Sequence, residues 1–137
     1  MFGKRDGRKN SVLFVCIENS SRSVMAEAFA KELGLDASSA GTIPTANVNP
    51  LIVEVMKEVG IDVSPSKPKE LTTMMIDDAS LVVLTDASLE GAIPGNLRKK
   101  MRKKVVYWSI PDPQGKSREE VRYVRDQVRR MVETLAR

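Results

Sequence analysis

The order of apolar runs and helical patterns along this chain predicts an α/β fold built on a parallel sheet. Short apolar, β-branched runs at "SVLFVCI" (11–17), "SLVVLT" (80–85) and "KVVYW" (104–108) suit strands buried on both faces. Segments of helical periodicity lie between and after them, ending in a long amphipathic stretch that closes the chain. Strands alternating with helices imply parallel pairing with right-handed crossovers.

Residues 1–10 carry Lys4, Arg5, Arg8 and Lys9 without apolar periodicity and read as a loose basic arm, leaving 11–137 as one domain. After the first strand, "SVMAEAFAKELG" places Val24, Met25, Ala28, Phe29 and Leu33 at helical spacing, and Gly34 suits the position that ends the helix. "LDASSAGT" (35–42) reads as a second strand. Asn49 and Pro50 supply a cap and a first-turn proline for a helix that ends at Gly60. "KELTTMMIDDA" (69–79) predicts a short helix. "NLRKKMRKK" (96–104) carries so much like charge that a short surface turn is expected rather than a helix. In the tail, Ser117 and Glu120 match a capping box, and Val121, Val124, Val128, Met131, Val132 and Leu135 share one helical face.

Composition narrows the chemistry. The 137 residues are 42% apolar and 29% charged, within the range of globular domains. No apolar run approaches the ~20 residues of a membrane span, and no secretory signal is legible, so a cytoplasmic address and no membrane partner are expected. A single cysteine forms no internal disulfide. The absence of histidine removes Ser-His-Asp and Cys-His catalysis and the commonest zinc ligand. A net charge of +4 favours anionic partners without naming one.

The single cysteine opens the segment Cys16-Ile17-Glu18-Asn19-Ser20-Ser21-Arg22, between the first strand and the first helix. Ligands bind at such carboxyl ends of parallel strands. Successive loop amides and the unpaired donors of a helix N-terminus make a concave site for a tetrahedral anion. A thiol there, beside a guanidinium, is expected as a thiolate. Arg22 offers bidentate donors to two anion oxygens, Ser23 is placed to hydrogen-bond the sulfur, and Asn19 to hold the loop by bonding neighbouring backbone. The bland alternative is a small buried hydrophobe ending a strand. Attack by sulfur on phosphorus needs an acid for the departing oxygen. Asp112, in "SIPDPQG" (109–115) after the last strand, is the candidate, with an ordinary turn aspartate as the alternative.

The pattern "VLFVCIENSSRSVMAEAF", "SSAGT", "NPLIVEVMKEVGIDVS", "LVVLT" and "W-S-I-P-D-P" resembles the low-molecular-weight protein tyrosine phosphatases and the related thioredoxin-coupled arsenate reductases. The resemblance spans roughly residues 11–136. It implies a three-layer, flavodoxin-like α/β sandwich around a four-stranded parallel sheet, with Cys16 as nucleophile, Arg22 as oxyanion clamp and Asp112 as general acid. The expected chemistry is hydrolysis of phosphotyrosine or other phosphomonoesters through a phosphocysteine, with no metal or cofactor. The wording around the loop and the tryptophan before Asp-Pro resemble the reductase branch. Reductases of that type carry further cysteines after the third strand, where this chain reads "TDASLEGAIPGN", so reduction would need an external thiol or redoxin. The phosphatases place aromatic residues directly after Asp-Pro, where this chain has Gln114 and Gly115.

Other features carry weaker readings. Trp108 and Tyr107 suit core packing more than an aromatic wall at the site. Asp86 suits a helix cap more than a second acid. The arginines at 118, 122, 125 and 129, and the basic cluster at 99–104, fit a solvated face better than a nucleic-acid surface. A binding module that merely holds phosphate or nucleic acid is the remaining class.

Overall fold

Alternating side chains on Ser11–Cys16 (β1) point to two different cores, which makes this strand the centre of the molecule. In the computed structural model, which describes residues 11–136, Val12 and Phe14 enter one apolar cluster and Leu13 and Val15 the other. β1 pairs in parallel with Asp36–Gly41 (β2) on one side and Leu81–Leu84 (β3) on the other, and β3 pairs with Val105–Tyr107 (β4). The four-stranded sheet runs β2-β1-β3-β4. The predicted basic arm at 1–10 lies outside the described residues.

Arg22–Glu32 (α1), Pro50–Lys57 (α2) and Arg118–Leu135 (α5) cover one face of the sheet. Thr73–Asp78 (α3), a 3-10 helix at Ala87–Ala92 and Gly95–Met101 (α4) cover the other. The expected caps are present. The Asn49 side chain accepts from Leu51 N, and the Ser117–Glu120 box is closed in both directions. Gly34, with φ of 84°, sits one residue beyond the Leu33 cap of α1.

Two sequence expectations are corrected. The segment at 96–104 forms helix α4 rather than a turn, because Leu97 and Met101, four residues apart, bury one stripe against α3 and β3 while the cations stay in water. The arginine face of α5 is not a free solvated stripe. Arg118 pairs with Glu54 at 3.2 Å, and Arg122 grips Glu58 with Nε and Nη2 at 2.9 and 2.7 Å. Buried Arg125 adds bonds to Glu58 and to the Val55 carbonyl. These contacts clamp α5 onto α2.

Hydrogen bonds from Arg122, with a smaller contribution from Arg125, overcome partial desolvation and hold the Glu58 carboxyl at about 2, below its usual 4.5. A carboxyl held low in the folded state stabilises it above the usual value and loses that effect as pH falls through the folded value. Glu58→Gln is therefore expected to lower Tm at neutral pH, by a difference that shrinks between about 4.5 and about 2. Thermal melts across that range check this; a difference that stays constant down to the lower end contradicts it.

Candidate active site

The first strand delivers Cys16 to the carboxyl edge of the sheet, and the chain then turns through 17–21 into α1. The carbonyls of Cys16, Ile17, Glu18 and Ser20 accept hydrogen bonds from the amides of Thr42, Ile43, Thr45 and Asn49 at 2.8 to 3.2 Å. In a trans peptide the carbonyl and the following N–H point oppositely. Turning these carbonyls outward to residues 42–49 therefore turns the amides of Ile17, Glu18, Asn19 and Ser21 inward. Ser21, the N-cap of α1, makes no side-chain capping bond, so the first-turn amides are not satisfied by their own cap. The result is a nest of donors of the kind that binds oxyanions.

Asn19 shapes the turn. It has φ of 52°, the only left-handed non-glycine among the described residues, in a region that asparagine tolerates better than most side chains. Its Oδ1 accepts from the Lys69 amide at 3.0 Å, and its Nδ2 donates to Ser23 Oγ at 2.9 Å. The expectation that Asn19 bonds neighbouring backbone becomes a tie to a segment fifty residues away. With its oxygen accepting from Asn19, the Ser23 hydroxyl has its proton free for Cys16 Sγ, 2.8 Å away. That bond favours sulfur as an acceptor, the form in which it is nucleophilic.

Arg22 is 4% exposed. Its Nη1 donates to the Ile110 carbonyl at 2.8 Å and lies 3.6 Å from Asp86 Oδ2. The opposite edge of the guanidinium, Nε and Nη2, is the pair that meets an oxyanion side-on, and buried Nε has no acceptor among the described residues. Asp86 also caps the 3-10 helix by accepting from Ser88 N at 3.0 Å. The Ser88 amide, then its hydroxyl and Arg22, outweigh desolvation and hold this carboxyl below the usual aspartate range. It is thus both the expected cap and a counter-ion for Arg22.

Cys16, Ile17, Glu18, Ser21, Arg22, Asp112 and Gln114 line a cup of about 70 Å³. The structure therefore brings Asp112 to the cysteine loop, and its Oδ1 also accepts from Gln114 N at 3.0 Å, so the turn role and the placement at the cup coexist. Ser20 and Ser23 are buried in the loop's support rather than exposed to the cup. The aromatic wall is absent: Trp108 packs against Phe14 with ring centroids 5.6 Å apart, and Tyr107 bonds Glu90 beside a different groove. Among the described residues no group of three or more His, Cys, Asp or Glu could hold a metal ion.

Gln114, which stands where the phosphatases place an aromatic residue, also lines the cup. One residue escaped the sequence reading. Gly41 pairs with Cys16 in the sheet, and a Cβ there would lie 2.6 Å from Ile17 O and 2.8 Å from Asn19 N. Nothing beside it in the chain signals this role, which depends on the pairing of β2 with β1.

The family model described as low molecular weight phosphotyrosine protein phosphatase matches residues 11–137. The chain belongs to that family. Within the low molecular weight phosphatase family it is 37% identical over 131 residues to an arsenate reductase of Staphylococcus aureus strain Newman, covering 91% of this chain and 95% of the relative. A solved arsenate reductase in a phosphate-binding state superposes with a TM-score of 0.80 at 35% identity, covering 93% and 96% of the two chains. A low molecular weight protein tyrosine phosphatase from T. tengcongensis superposes with a TM-score of 0.82 at 27% identity, covering 92% and 97%. The predicted three-layer sandwich is that of the family.

Proposed function

We propose that the protein is a cysteine-dependent phosphatase that hydrolyses phosphomonoesters, phosphotyrosine among them. The observation that carries the reading is the convergence of Cys16, Arg22 and Asp112 on one cup. The Cys16 thiolate attacks phosphorus, the P–O ester bond breaks, and Asp112 gives its proton to the departing oxygen. Negative charge on the equatorial oxygens is met by Arg22 Nε and Nη2 and by the inward amides. Asp112, now ionised, takes a proton from water as its oxygen attacks the phosphocysteine. The S–P bond breaks, releasing phosphate and regenerating the thiolate. No step calls on a metal or cofactor. The reaction suits a compartment that keeps the thiol reduced, in line with a cytoplasmic address.

A second reading is favoured by the arsenate reductase relatives. Arsenate fits the same cup and would form a Cys16–arsenic adduct. Its reduction to arsenite then consumes two thiols, which end as a disulfide, and the chain has one cysteine. This reading requires a thiol or redoxin from outside.

The test is wild-type enzyme assayed side by side for phosphotyrosine-peptide hydrolysis and for arsenite formation across a panel of thiol donors. Thiol-independent hydrolysis, with a phosphorylated Cys16 trapped by acid quench, is expected. Arsenite formation outpacing ester hydrolysis would replace the first reading with the second. Within the first, Asp112→Asn should lower kcat about 10²- to 10³-fold for phenyl phosphate and less for p-nitrophenyl phosphate, whose leaving group needs less protonation. Equal losses for the two esters would place the acid elsewhere.

A further inference from the structure

The cup opens into a groove of about 390 Å³ bounded by the nucleophile loop, residues 45–50 and the Asp112 turn. The two share Glu18, Ser21, Asp112 and Gln114, so whatever is esterified to a phosphoryl group in the cup must leave through this groove. The protein carries a net charge of +4, yet among the described residues the charged side chains lining the groove are two carboxylates, Glu18 and Asp112. The remaining lining is neutral, with Thr45, Asn47 and Asn49 among it. Glu18 is half-buried, and its nearest side-chain partner is the Ser20 hydroxyl, 3.5 Å away and itself neutral. Among the described residues no cation lines the groove itself, Arg22 lying in the adjoining cup.

From this we infer that Glu18 selects phosphorylated polypeptide segments whose residues beside the phosphoryl group are cationic, and rejects acidic ones. Arg22 accounts for the anion in the cup; the groove accounts for the flanks. A lysine or arginine at the mouth meets the negative charge of Glu18, and a glutamate is repelled by it; Asp112 carries its proton when substrate binds and adds no charge then. At a separation near 8 Å in a largely aqueous dielectric, each pairing changes affinity about two- to threefold. Exchanging a cation for an anion therefore shifts kcat/KM about fivefold per carboxylate. The inference rests on the phosphatase reading.

The experiment compares a phosphotyrosine peptide flanked by lysines with the same peptide flanked by glutamates, using p-nitrophenyl phosphate as the common reference. The wild-type ratio of kcat/KM, Lys-flanked over Glu-flanked, is expected to be about fivefold and to narrow as ionic strength rises. Glu18→Gln should cut the ratio about three- to fivefold, and Glu18→Lys should bring it close to one or below. Because the ratio is taken within each variant, a general loss of rate from disturbing the loop cancels. Asn47→Lys, outside that loop, should also lower it, and decides the matter if the Glu18 variants do not fold. No turnover of any of the three substrates overturns the phosphatase reading and this inference with it. Reference turnover with a wild-type ratio near one, or a ratio unmoved by the Glu18→Gln exchange, overturns the inference alone.

Discussion

Replacing Cys16 by serine is expected to cut phosphomonoester turnover on the order of 10⁴- to 10⁶-fold, the scale on which removal of a covalent nucleophile acts. The oxygen that replaces sulfur keeps its hydrogen bond with Ser23 Oγ, 2.8 Å from the present Sγ, and the loop keeps the outward carbonyl bonds that define the cup. A serine hydroxyl is a far weaker nucleophile than a thiolate, and with no histidine in the chain it has no imidazole base to activate it. Binding should therefore survive what catalysis does not. Inorganic phosphate measured by calorimetry should bind the variant within about threefold of wild type. Turnover retained within tenfold would show that sulfur is not the attacking atom.

The second large effect is expected at a residue that never touches substrate. Gly41 donates to Lys69 O and accepts from Leu71 N, both at 2.9 Å, so its backbone cannot retreat. The atoms a Cβ would meet, Ile17 O at 2.6 Å, Asn19 N at 2.8 Å and Glu18 C at 2.9 Å, are all backbone atoms of the cysteine loop and cannot rotate away. In Gly41→Ala the loop itself must shift, carrying the inward amides with it. Misplacement of this kind costs about 10²-fold or more in kcat/KM, and overpacking of about 1–3 kcal/mol should appear as a lowered Tm. Gly91→Ala, where an added methyl meets nothing within 4 Å, is the matched control and should stay within about 0.5 kcal/mol of wild type. Equal behaviour of the two variants would show that the loop tolerates displacement.

The contrast between these two residues shows what local sequence conveys. Cys16 was legible because an apolar run, a polar loop and a helical pattern are consecutive, and their juncture is itself the site. The capping box of α5 and the Asn49-Pro50 start of α2 were legible for the same reason: the interacting residues lie within four positions. Gly41 acts on Cys16 across a parallel pairing, and Arg122 acts on Glu58 across 64 residues, so neither role leaves a local trace. Helix α4 shows a related failure. Seven residues that include the consecutive cations Arg98, Lys99 and Lys100 make a poor isolated helix, and burial of Leu97 and Met101 in the second core reverses the balance.

The bond from Arg22 Nη1 to the Ile110 carbonyl ties the chain that bears Asp112, the proposed proton donor, to the side chain proposed to grip the transferred group. Asp112 lies two residues beyond Ile110, and β4 ends three residues before it. The spacing between Cys16 and Asp112 is thus gauged by one guanidinium, as by a spacer, and Asp86 steadies the same Nη1. An exchange of Arg22 for lysine should therefore do more than weaken oxyanion affinity. It should slacken the turn over the cup and make rates newly sensitive to the basicity of the departing alcohol, with every atom of Asp112 still in place.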